Sequence, residues 1–275
     1  MKTFRADLHC HSYYSDGEDS PFELLAKAKA AGLQGLSITD HDTMEAYSPD
    51  VFEEAKRLKI QLLTGIELSS ELQDASIHVL GYGFDWKNTH FQQFLAESRK
   101  RRRTRNLAIL EKLKKHKMPI EEEELIAFVE RKSRIIGRPH IAQLMIKKGY
   151  VLSVQEAFER YLREGASCYP FGIKFHPREA IDQIHQAGGK AVLAHPHFLR
   201  SGVLKKELLS LFFDGIECHY GTLPKELEQE WVKLAEKRGW LATGGSDYHG
   251  SFKPHVSLGC SWVGEAVFNK LLEPA

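Results

Sequence analysis

Cysteine is scarce in this sequence, and its four residues form no C-x-x-C pair of the kind found in zinc ribbons and redox motifs. They lie far apart, at Cys10, Cys168, Cys218 and Cys260. A disulfide-stapled scaffold is therefore excluded, and the reducing cytosol (a cytoplasmic location) is expected. No apolar run reaches the roughly 18 residues that a membrane span needs, and no apolar leader precedes the first histidines.

An excess of charge of either sign is also lacking. The 38 Lys and Arg residues and the 37 Asp and Glu residues give a formal net charge of +1. No overall field therefore attracts nucleic acid or an anionic membrane, and any such attraction must be local. With 275 residues, of which 42% are hydrophobic, the chain is long enough to bury a sizeable core. Histidine, by contrast, is abundant, with 14 residues.

Short β-like runs alternate with helical patterns along the chain. The runs have apolar, partly β-branched bodies that end near His, Asp or Glu, and they cover 3–11, 35–42, 61–69, 76–83, 190–197, 214–220 and 241–249. Helices are predicted at 20–32, 49–58, 177–187, 204–213 and 223–237. This alternation predicts an α/β fold in which a parallel barrel builds its site at the carboxyl ends of the strands. The count of about seven strands argues against a regular eight-stranded barrel.

Residues 88–165 interrupt this alternation, because their patterns are helical throughout. We expect a barrel formed by 1–87 and 166–275, and a helical insertion at 88–165 that covers the active site. The insertion contains the basic run RKRRRTR at 99–105, near the acidic stretch EEEE at 121–124. The basic run is compatible with a solvated helix face that pairs with the acidic stretch, with contact to RNA, or with arginines that reach a second phosphate.

Histidines and carboxylates at the strand ends predict a metal site. His9 and His11 are spaced i and i+2, so in a strand both imidazoles point to one side and can share an ion. Asp247 and His249 repeat this spacing after a glycine pair, and Asp40, His41 and Asp42 end the second run. The candidate metal ligands are His9, His11, Asp16, His41, Glu67, His78, His195, Asp247 and His249.

Nine ligands suit two or three divalent ions rather than one. A mixed histidine and carboxylate set without thiolates favours Mn²⁺, Zn²⁺ or Fe²⁺ over a structural zinc, with Mn²⁺ as the first choice, and it disfavours Mg²⁺. Such ions can activate water and neutralise charge on a phosphoryl group, so no Ser or Cys nucleophile is needed. Such a site is suited to metal-assisted hydrolysis, and a phosphate ester is one substrate that it can serve.

A phosphate ester also requires positive side chains. Arg138 and His140 lie in the sequence GRPH, where Pro139 can open a helix whose first-turn amides favour an anion. Further candidates for substrate binding are Lys174, His197, Arg200, His219 and Lys253. For each of these the alternative is a solvated side chain or a histidine that only supports a ligand.

Six segments resemble, in order, the motifs of the PHP (polymerase and histidinol phosphatase) superfamily of metal-dependent phosphoesterases: LHCHSYYSDG, ITDHD, GIELS, IHVLGY, VLAHPH and GGSDYHG. Four more are similar to the nucleoside 3′,5′-bisphosphate phosphatase branch, some members of which also remove 5′ nucleotides from short RNA: RRRTRNLAIL, IIGRPHIAQLMIKKGYV, VQEAFERYL and TGGSDYHGSFKPHVSLG. The resemblance implies a distorted seven-stranded (β/α) barrel with a trinuclear metal centre.

The resemblance also implies a role for each ligand. The first metal would take His9, His11, Glu67 and Asp247, the second Asp16, His41 and His249, and the third Glu67, His78 and His195. Glu67 would therefore bridge two ions, and GRPH would face the substrate. We expect the catalytic residues to be Glu67, His195, Asp247 and His249.

Three functions are compatible with the sequence. The leading hypothesis is hydrolysis of the 3′-phosphate of a nucleoside 3′,5′-bisphosphate to the 5′-monophosphate. The same site would remove 5′ nucleotides from short RNA, since both reactions place a phosphorus with a 3′-oxygen on the metals. The alternative is histidinol phosphatase or another small phosphomonoesterase. A non-catalytic RNA-binding domain would have lost ligands, whereas here every expected position is filled.

Overall fold

The computed structural model describes residues 3–129, 135–199 and 202–273. In these ranges seven strands form one sheet whose order follows the sequence. They are β1 (Ala6–Asp7), β2 (Gly35–Ile38), β3 (Gln61–Leu72), β4 (Ala75–Tyr82), β5 (Lys190–Leu193), β6 (Gly215–Tyr220) and β7 (Leu241–Gly245). The predicted substrate-binding residue Arg200 lies outside the described residues.

The sheet is nearly closed into a barrel by bonds between the ends of β1 and β7. The Leu8 N–H donates to the Gly244 carbonyl at 3.3 Å, and the Asp247 N–H donates to the His9 carbonyl at 2.7 Å. Strand β4 runs antiparallel to β3 and β5, whereas the other neighbouring pairs are parallel. The predicted seven-stranded α/β barrel is confirmed, and the reversed strand is its distortion.

Ten α-helices lie in the described ranges: α1 (Pro21–Ala30), α2 (Pro49–Leu58), α3 (Thr89–Lys115), α4 (Glu122–Val129), α5 (Arg138–Lys147), α6 (Val154–Ala157), α7 (Pro177–Gln186), α8 (Gly202–Leu208), α9 (Lys225–Arg238) and α10 (Glu265–Leu272). Helix α8 ends earlier than the helix predicted at 204–213. Leu209, Leu211 and Phe213 are buried while Phe212 is exposed, an alternation that a helix does not produce. None of these helices combines the length and apolarity that a membrane crossing requires.

Helices α3 to α6 lie between β4 and β5 and share an apolar cluster of their own, which includes Ile109, Leu113, Ile141 and Met145. A buried ion pair joins α3 to the barrel at the carboxyl end of β2. The Arg102 guanidinium donates to the Asp42 carboxylate at 2.5 and 3.0 Å and to Ser69 at 2.6 Å. The insertion therefore contacts the end of the barrel at which the predicted metal ligands lie. The boundaries 88–165 of the insertion as a separate domain stay a prediction.

Candidate metal centre

The carboxylate of Glu67, in the middle of β3, is surrounded by imidazoles from other parts of the chain. Its Oε1 lies 2.7 Å from His78 Nδ1 and 3.0 Å from His195 Nε2. Its Oε2 lies 3.1 Å from His11 Nε2 and 3.3 Å from His41 Nδ1. The two oxygens thus face two different sets of histidines, which is the arrangement of a carboxylate that can serve two ions.

Two more carboxylates complete the cluster. Asp247 Oδ1 lies 3.4 Å from ring nitrogens of each of His9, His11 and His249. Asp16 Oδ1 lies 3.4 Å from His249 Nε2 and 3.6 Å from His11 Nδ1. The structure therefore brings all nine predicted ligands into one place. We call these nine side chains the ligand cluster.

The side chains fall into overlapping groups whose ligand atoms lie within 4.8 Å of one another. The groups are His9, His11 and Glu67; His11, Asp16, His41 and His249; and His41, Glu67 and His78. They differ from the implied three-way division in two ways: the groups for the first and third metals lack Asp247 and His195, and two imidazoles are shared between groups. His11 also faces the group around Asp16, and His41 also faces Glu67. The cluster is tighter than the implied assignment, because these two imidazoles are each shared between groups.

The ligand cluster contains buried nitrogen and oxygen atoms without hydrogen-bond partners among the described residues, and these atoms are suited to bind divalent cations. Three ligand atoms are buried and make no well-aligned hydrogen bond with described residues: the Nε2 of His11, the Oδ1 of Asp16 and the Nδ1 of His41. Each of them nevertheless has a ring nitrogen or carboxylate oxygen of another ligand within 3.6 Å. Two ligand atoms that share an ion about 2.1 Å away lie about 3.0–3.4 Å apart. The contacts of these three atoms, at 3.1–3.4 Å, therefore have the spacing of co-ligands, whereas the 2.7 Å contact between Glu67 and His78 has the length of a hydrogen bond.

The electrostatics of the cluster keep its carboxylates ionised. Burial alone would raise the pKa of Glu67, but the imidazoles of His41, His78 and His9 outweigh it and hold that pKa well below its usual range. Burial lowers the pKa of His41 far below its usual value, and the neighbouring His11 lowers it further. Burial lowers the pKa of His11, but Asp247 and Glu67 outweigh it and raise that pKa to about 9, so metal binding would displace a proton from this imidazole.

Three residues hold the ligands in place, and the sequence analysis assigned no role to two of them, Glu217 and Tyr220. Glu217, buried in β6, accepts from His9 Nδ1 at 2.8 Å and from the backbone N–H of His195 at 2.7 Å. Tyr220 donates to Asp247 Oδ2 at 2.5 Å, as does Lys253, which was predicted to contact substrate. The sequence did contain a sign of this role, because Glu217 is a charged residue inside the otherwise largely apolar strand GIECHY.

Replacing Glu217 by glutamine is expected to lower metal affinity or kcat/KM by about 10- to 100-fold. The amide keeps the size of the side chain but no longer stabilises the His9 Nδ1–H with a charge. Metal titration and phosphatase kinetics on the purified variant measure the effect. Unchanged affinity and unchanged kcat/KM would show that Glu217 does not orient His9.

An open cleft of about 790 Å³ lies beside the ligand cluster. Its lining includes cationic and aromatic side chains beyond the cluster, namely Arg102, Arg105, Arg138, Arg163, Lys253, His197, Phe158 and Phe198. The helix predicted to open at Pro139 is α5, which begins one residue earlier at Arg138, and the Arg138 guanidinium donates to Glu164 at 2.8 Å. Both ring nitrogens of His197 are buried without a hydrogen-bond partner among the described residues.

The other predicted substrate-binding residues, His140, Lys174 and His219, differ in their hydrogen-bond partners and in their access to the cleft. His140 accepts from the Gly137 N–H at 2.9 Å, and its Nε2 is buried without a partner in the described chain. Lys174 donates to Ser76, next to His78. His219 is not among the side chains that line the cleft, because its Nδ1 pairs with the buried Glu228 at 2.8 Å.

Residues 7–167 match a family model described as the PHP domain. The chain belongs to the PHP domain family. It is 33% identical to the 5′-3′ exoribonuclease Rnm of Escherichia coli, over 94% of this chain and 86% of that enzyme. It is 28% identical to the 3′,5′-nucleoside bisphosphate phosphatase of Chromobacterium violaceum, over 88% of this chain and 86% of the relative.

A solved structure from Bifidobacterium adolescentis, described as a metal-dependent phosphoesterase, superposes with a TM-score of 0.84. It is 29% identical and covers 97% of this chain and 95% of its own. The predicted family, fold and class of enzyme, a metal-dependent phosphoric ester hydrolase, are thereby confirmed. None of these three relatives carries the name histidinol phosphatase, so the similarity does not favour that alternative.

Proposed function

We propose that this PHP domain hydrolyses phosphate esters at the 3′ position of nucleotides. Its substrates are nucleoside 3′,5′-bisphosphates, which lose the 3′-phosphate, and short 5′-phosphorylated RNA, which loses nucleotides from its 5′ end. The observation that carries the proposal is the convergence of nine ligand side chains at the floor of a cleft that is lined by arginines. The names of the two enzymes similar to this chain support the same substrate class.

The ligand cluster would hold two or three divalent ions, with Mn²⁺ as the first choice and Zn²⁺ or Fe²⁺ as alternatives. When bound, such ions lower the pKa of water and neutralise charge on the phosphoryl oxygens. Glu67 would bridge two ions, because its oxygens face separate imidazole sets. Lys253 and Tyr220 occupy Oδ2 of Asp247 and so leave Oδ1 free to bind an ion.

The remaining residues of the cleft would position the substrate. Arg138 has a planar guanidinium that can contact two phosphoryl oxygens, and His197 can donate one hydrogen bond from its unpaired ring. The ring of Phe198 is 60% exposed beside the metal ligand His195. An exposed aromatic ring at a phosphate site is suited to stack on a nucleobase. These features favour a nucleotide over a small phosphomonoester.

The insertion and the cysteines bear on two further parts of the proposal. Residues of 88–165 would cover the active site and select the substrate, since Arg102, Arg105, Arg138 and Phe158 all line the cleft.

The protein would act in the cytosol. All four cysteines are free, as a reducing compartment requires.

A substrate panel tests the proposal on protein of measured Mn²⁺ content. We expect release of phosphate from adenosine 3′,5′-bisphosphate and of 5′ nucleotides from a short 5′-phosphorylated RNA. Adenosine 5′-monophosphate and histidinol phosphate are expected to react much more slowly. If neither nucleotide substrate reacts, the proposal is wrong, and if histidinol phosphate reacts fastest, the alternative is correct.

A further inference from the structure

A buried carboxylate that is not one of the nine ligands lies close to the ligand cluster. Asp40 follows the end of β2 by two residues, and only 1% of its surface is exposed. It contacts two serines of the loop that joins the ligands His11 and Asp16. Its Oδ1 accepts from the Ser12 N–H at 2.8 Å and from the Ser15 hydroxyl at 2.5 Å, and its Oδ2 accepts from the Ser12 hydroxyl at 2.5 Å.

The Ser15 hydroxyl connects Asp40 to the ligand His11. Its oxygen lies 2.5 Å from the Asp40 carboxylate and 3.3 Å from His11 Nδ1. An ionised carboxylate can only accept hydrogen bonds, so the single hydroxyl proton is donated to Asp40. The Ser15 oxygen then faces His11 with a lone pair, and it accepts from an Nδ1–H. Ser15 is fully buried, so bulk water does not compete for either contact.

This chain of hydrogen bonds selects the nitrogen of His11 that keeps a lone pair for the ligand cluster. A hydroxyl by itself is ambiguous, because it can donate to an imidazole nitrogen or accept from one. If Ser15 donated to Nδ1, the proton of the neutral ring would lie on Nε2, which could then bind no ion. Because Asp40 holds the hydroxyl proton, the ring proton stays on Nδ1. Nε2, which lies 3.1 Å from Glu67 and 3.4 Å from Asp247, keeps its lone pair.

Two other ligands show the same division between their ring nitrogens. His9 Nδ1 lies 2.8 Å from the Glu217 carboxylate, and His249 Nδ1 lies 2.9 Å from the Asp247 carbonyl oxygen. An ionised carboxylate and a carbonyl can only accept, so both rings carry a proton on Nδ1 and direct Nε2 at carboxylates of the ligand cluster. His11 differs, because its Nδ1 faces a hydroxyl that acts as an acceptor only when its own proton is held elsewhere.

A second ligand depends on the same contact. Asp16 Oδ1 lies 3.6 Å from His11 Nδ1 and 3.4 Å from His249 Nε2, and it makes no hydrogen bond to described residues. It is a ready acceptor for the Nδ1–H if the Ser15 hydroxyl is removed. Because Ser15 accepts that hydrogen bond at a shorter distance, Asp16 Oδ1 stays available to an ion.

We propose that Asp40 is a positioning residue that acts on the metal site through Ser15, so that His11 carries its proton on Nδ1 and presents the lone pair of Nε2 to an ion. The inference rests on the metal site of the proposed function and does not depend on which phosphate ester reacts. Asp40 contacts neither the cleft nor a substrate. It acts on one ligand through a hydroxyl, as Glu217 acts on His9 directly.

Ser15→Ala breaks the chain between Asp40 and His11. We expect the affinity of the chelated, purified protein for Mn²⁺, measured by calorimetric titration, to fall about 10-fold or more, because a ligand that loses its supporting hydrogen bond binds metal less tightly. Thermal unfolding of the metal-free variant shows whether the fold itself is affected.

The matched control is Ser12→Ala. It removes a hydroxyl that donates to the same carboxylate at the same distance of 2.5 Å, while the Ser12 N–H still anchors the loop to Asp40. The metal-free forms of the two variants should unfold at similar temperatures, since each loses one buried hydroxyl. The Mn²⁺ affinity of Ser12→Ala should stay within about twofold of the wild type, because no supporting contact to a ligand is lost. Equal losses of affinity in the two variants would overturn the proposal.

Asp40→Asn tests whether the carboxylate acts through Ser15. The amide keeps an oxygen that can accept from Ser15 but removes the charge. We expect Mn²⁺ affinity to fall about 3- to 10-fold in the wild-type background and to show no further fall in the Ser15→Ala background, because the two residues form one chain. Additive losses would mean that Asp40 acts by another route, and the proposal would be wrong.

The position of the ring proton is measured without any variant by ¹⁵N NMR of histidine-labelled protein loaded with Zn²⁺, which is diamagnetic. The ring signals of His11 are assigned through their connection to its backbone. We expect a protonated Nδ1 and an unprotonated Nε2. A proton on Nε2 would contradict the proposal, whether or not the variants fold.

Failure of the proposed function is distinguishable from failure of this inference. If the wild type binds Mn²⁺ but hydrolyses no nucleotide, the proposed function is wrong, while the difference in affinity between Ser15→Ala and Ser12→Ala still tests the chain. If nucleotides are hydrolysed but these two variants bind Mn²⁺ equally, only the inference about Asp40 is wrong. A wild-type protein that binds no Mn²⁺ would contradict both.

Discussion

Replacing Glu67 by glutamine is expected to lower kcat by about 10³-fold or more and to reduce the number of Mn²⁺ ions bound per chain. Five imidazoles lie within 3.3 Å of the Glu67 carboxylate, and no other side chain of the cluster has as many ring neighbours among the described residues. A neutral amide cannot bridge two cations. Metal ions supply several kcal/mol of stabilisation to a phosphoryl transition state, which corresponds to this loss of rate.

The control for this variant is Glu54→Gln on α2, where Glu54 pairs with Arg57 on the surface. Its metal content and kcat should equal those of the wild type. Metal content is measured by elemental analysis after gel filtration, and kcat by phosphate release. Wild-type kcat in Glu67→Gln with a full complement of metal would show that this carboxylate does not bridge ions.

Removal of the metal by a chelator is expected to lower kcat by about 10³-fold or more, as for Glu67→Gln, and to destabilise the fold. Without cations, the buried carboxylates and imidazoles of the ligand cluster lose their common partner. If the free Mn²⁺ concentration is about 100-fold above its dissociation constant, binding stabilises the native state by about 2.7 kcal/mol. For a chain of this size, that corresponds to a fall in Tm of about 5–10 °C on metal removal.

Adding back Mn²⁺ should restore both activity and Tm, which separates metal loss from irreversible damage. The measurement is a titration of chelated protein with Mn²⁺, followed by phosphate release and by thermal unfolding. Calcium is a useful comparison, since its preference for oxygen ligands makes it a poor match to a histidine-rich cluster. Activity that persists in protein shown to be free of metal would contradict a metal-dependent mechanism.

The sequence was sufficient for the parts of the site that depend on local spacing. His9 and His11, and likewise Asp247 and His249, alternate along extended chain, and the structure places each pair in the ligand cluster. The N-terminal cap of α1 is equally local, because Ser20 and Glu23, three residues apart, form reciprocal hydrogen bonds. The ends of β2 and β5 were recognisable because His41 and His195 follow their apolar runs, whereas Glu67 and His78 lie inside β3 and β4.

Other features depend on contacts between distant residues, which a single sequence does not reveal. The direction of β4 follows from a tight hairpin at Gln73 and Asp74, both with positive φ, although neither is a glycine. Glu217 supports His9 across 208 positions of sequence. Arg102 and Arg105 belong to one basic run, yet only the folded chain shows that the first has a carboxylate partner and that the second has none among the described residues.

The most direct test of the central claim is anomalous diffraction from crystals of the Mn²⁺-loaded protein at the manganese edge. The account predicts two or three manganese peaks within bonding distance of the ligand cluster, with Glu67 touching two of them and no comparable peak elsewhere. A single peak that leaves most of the nine side chains without an ion, or peaks confined to other surfaces, would contradict it.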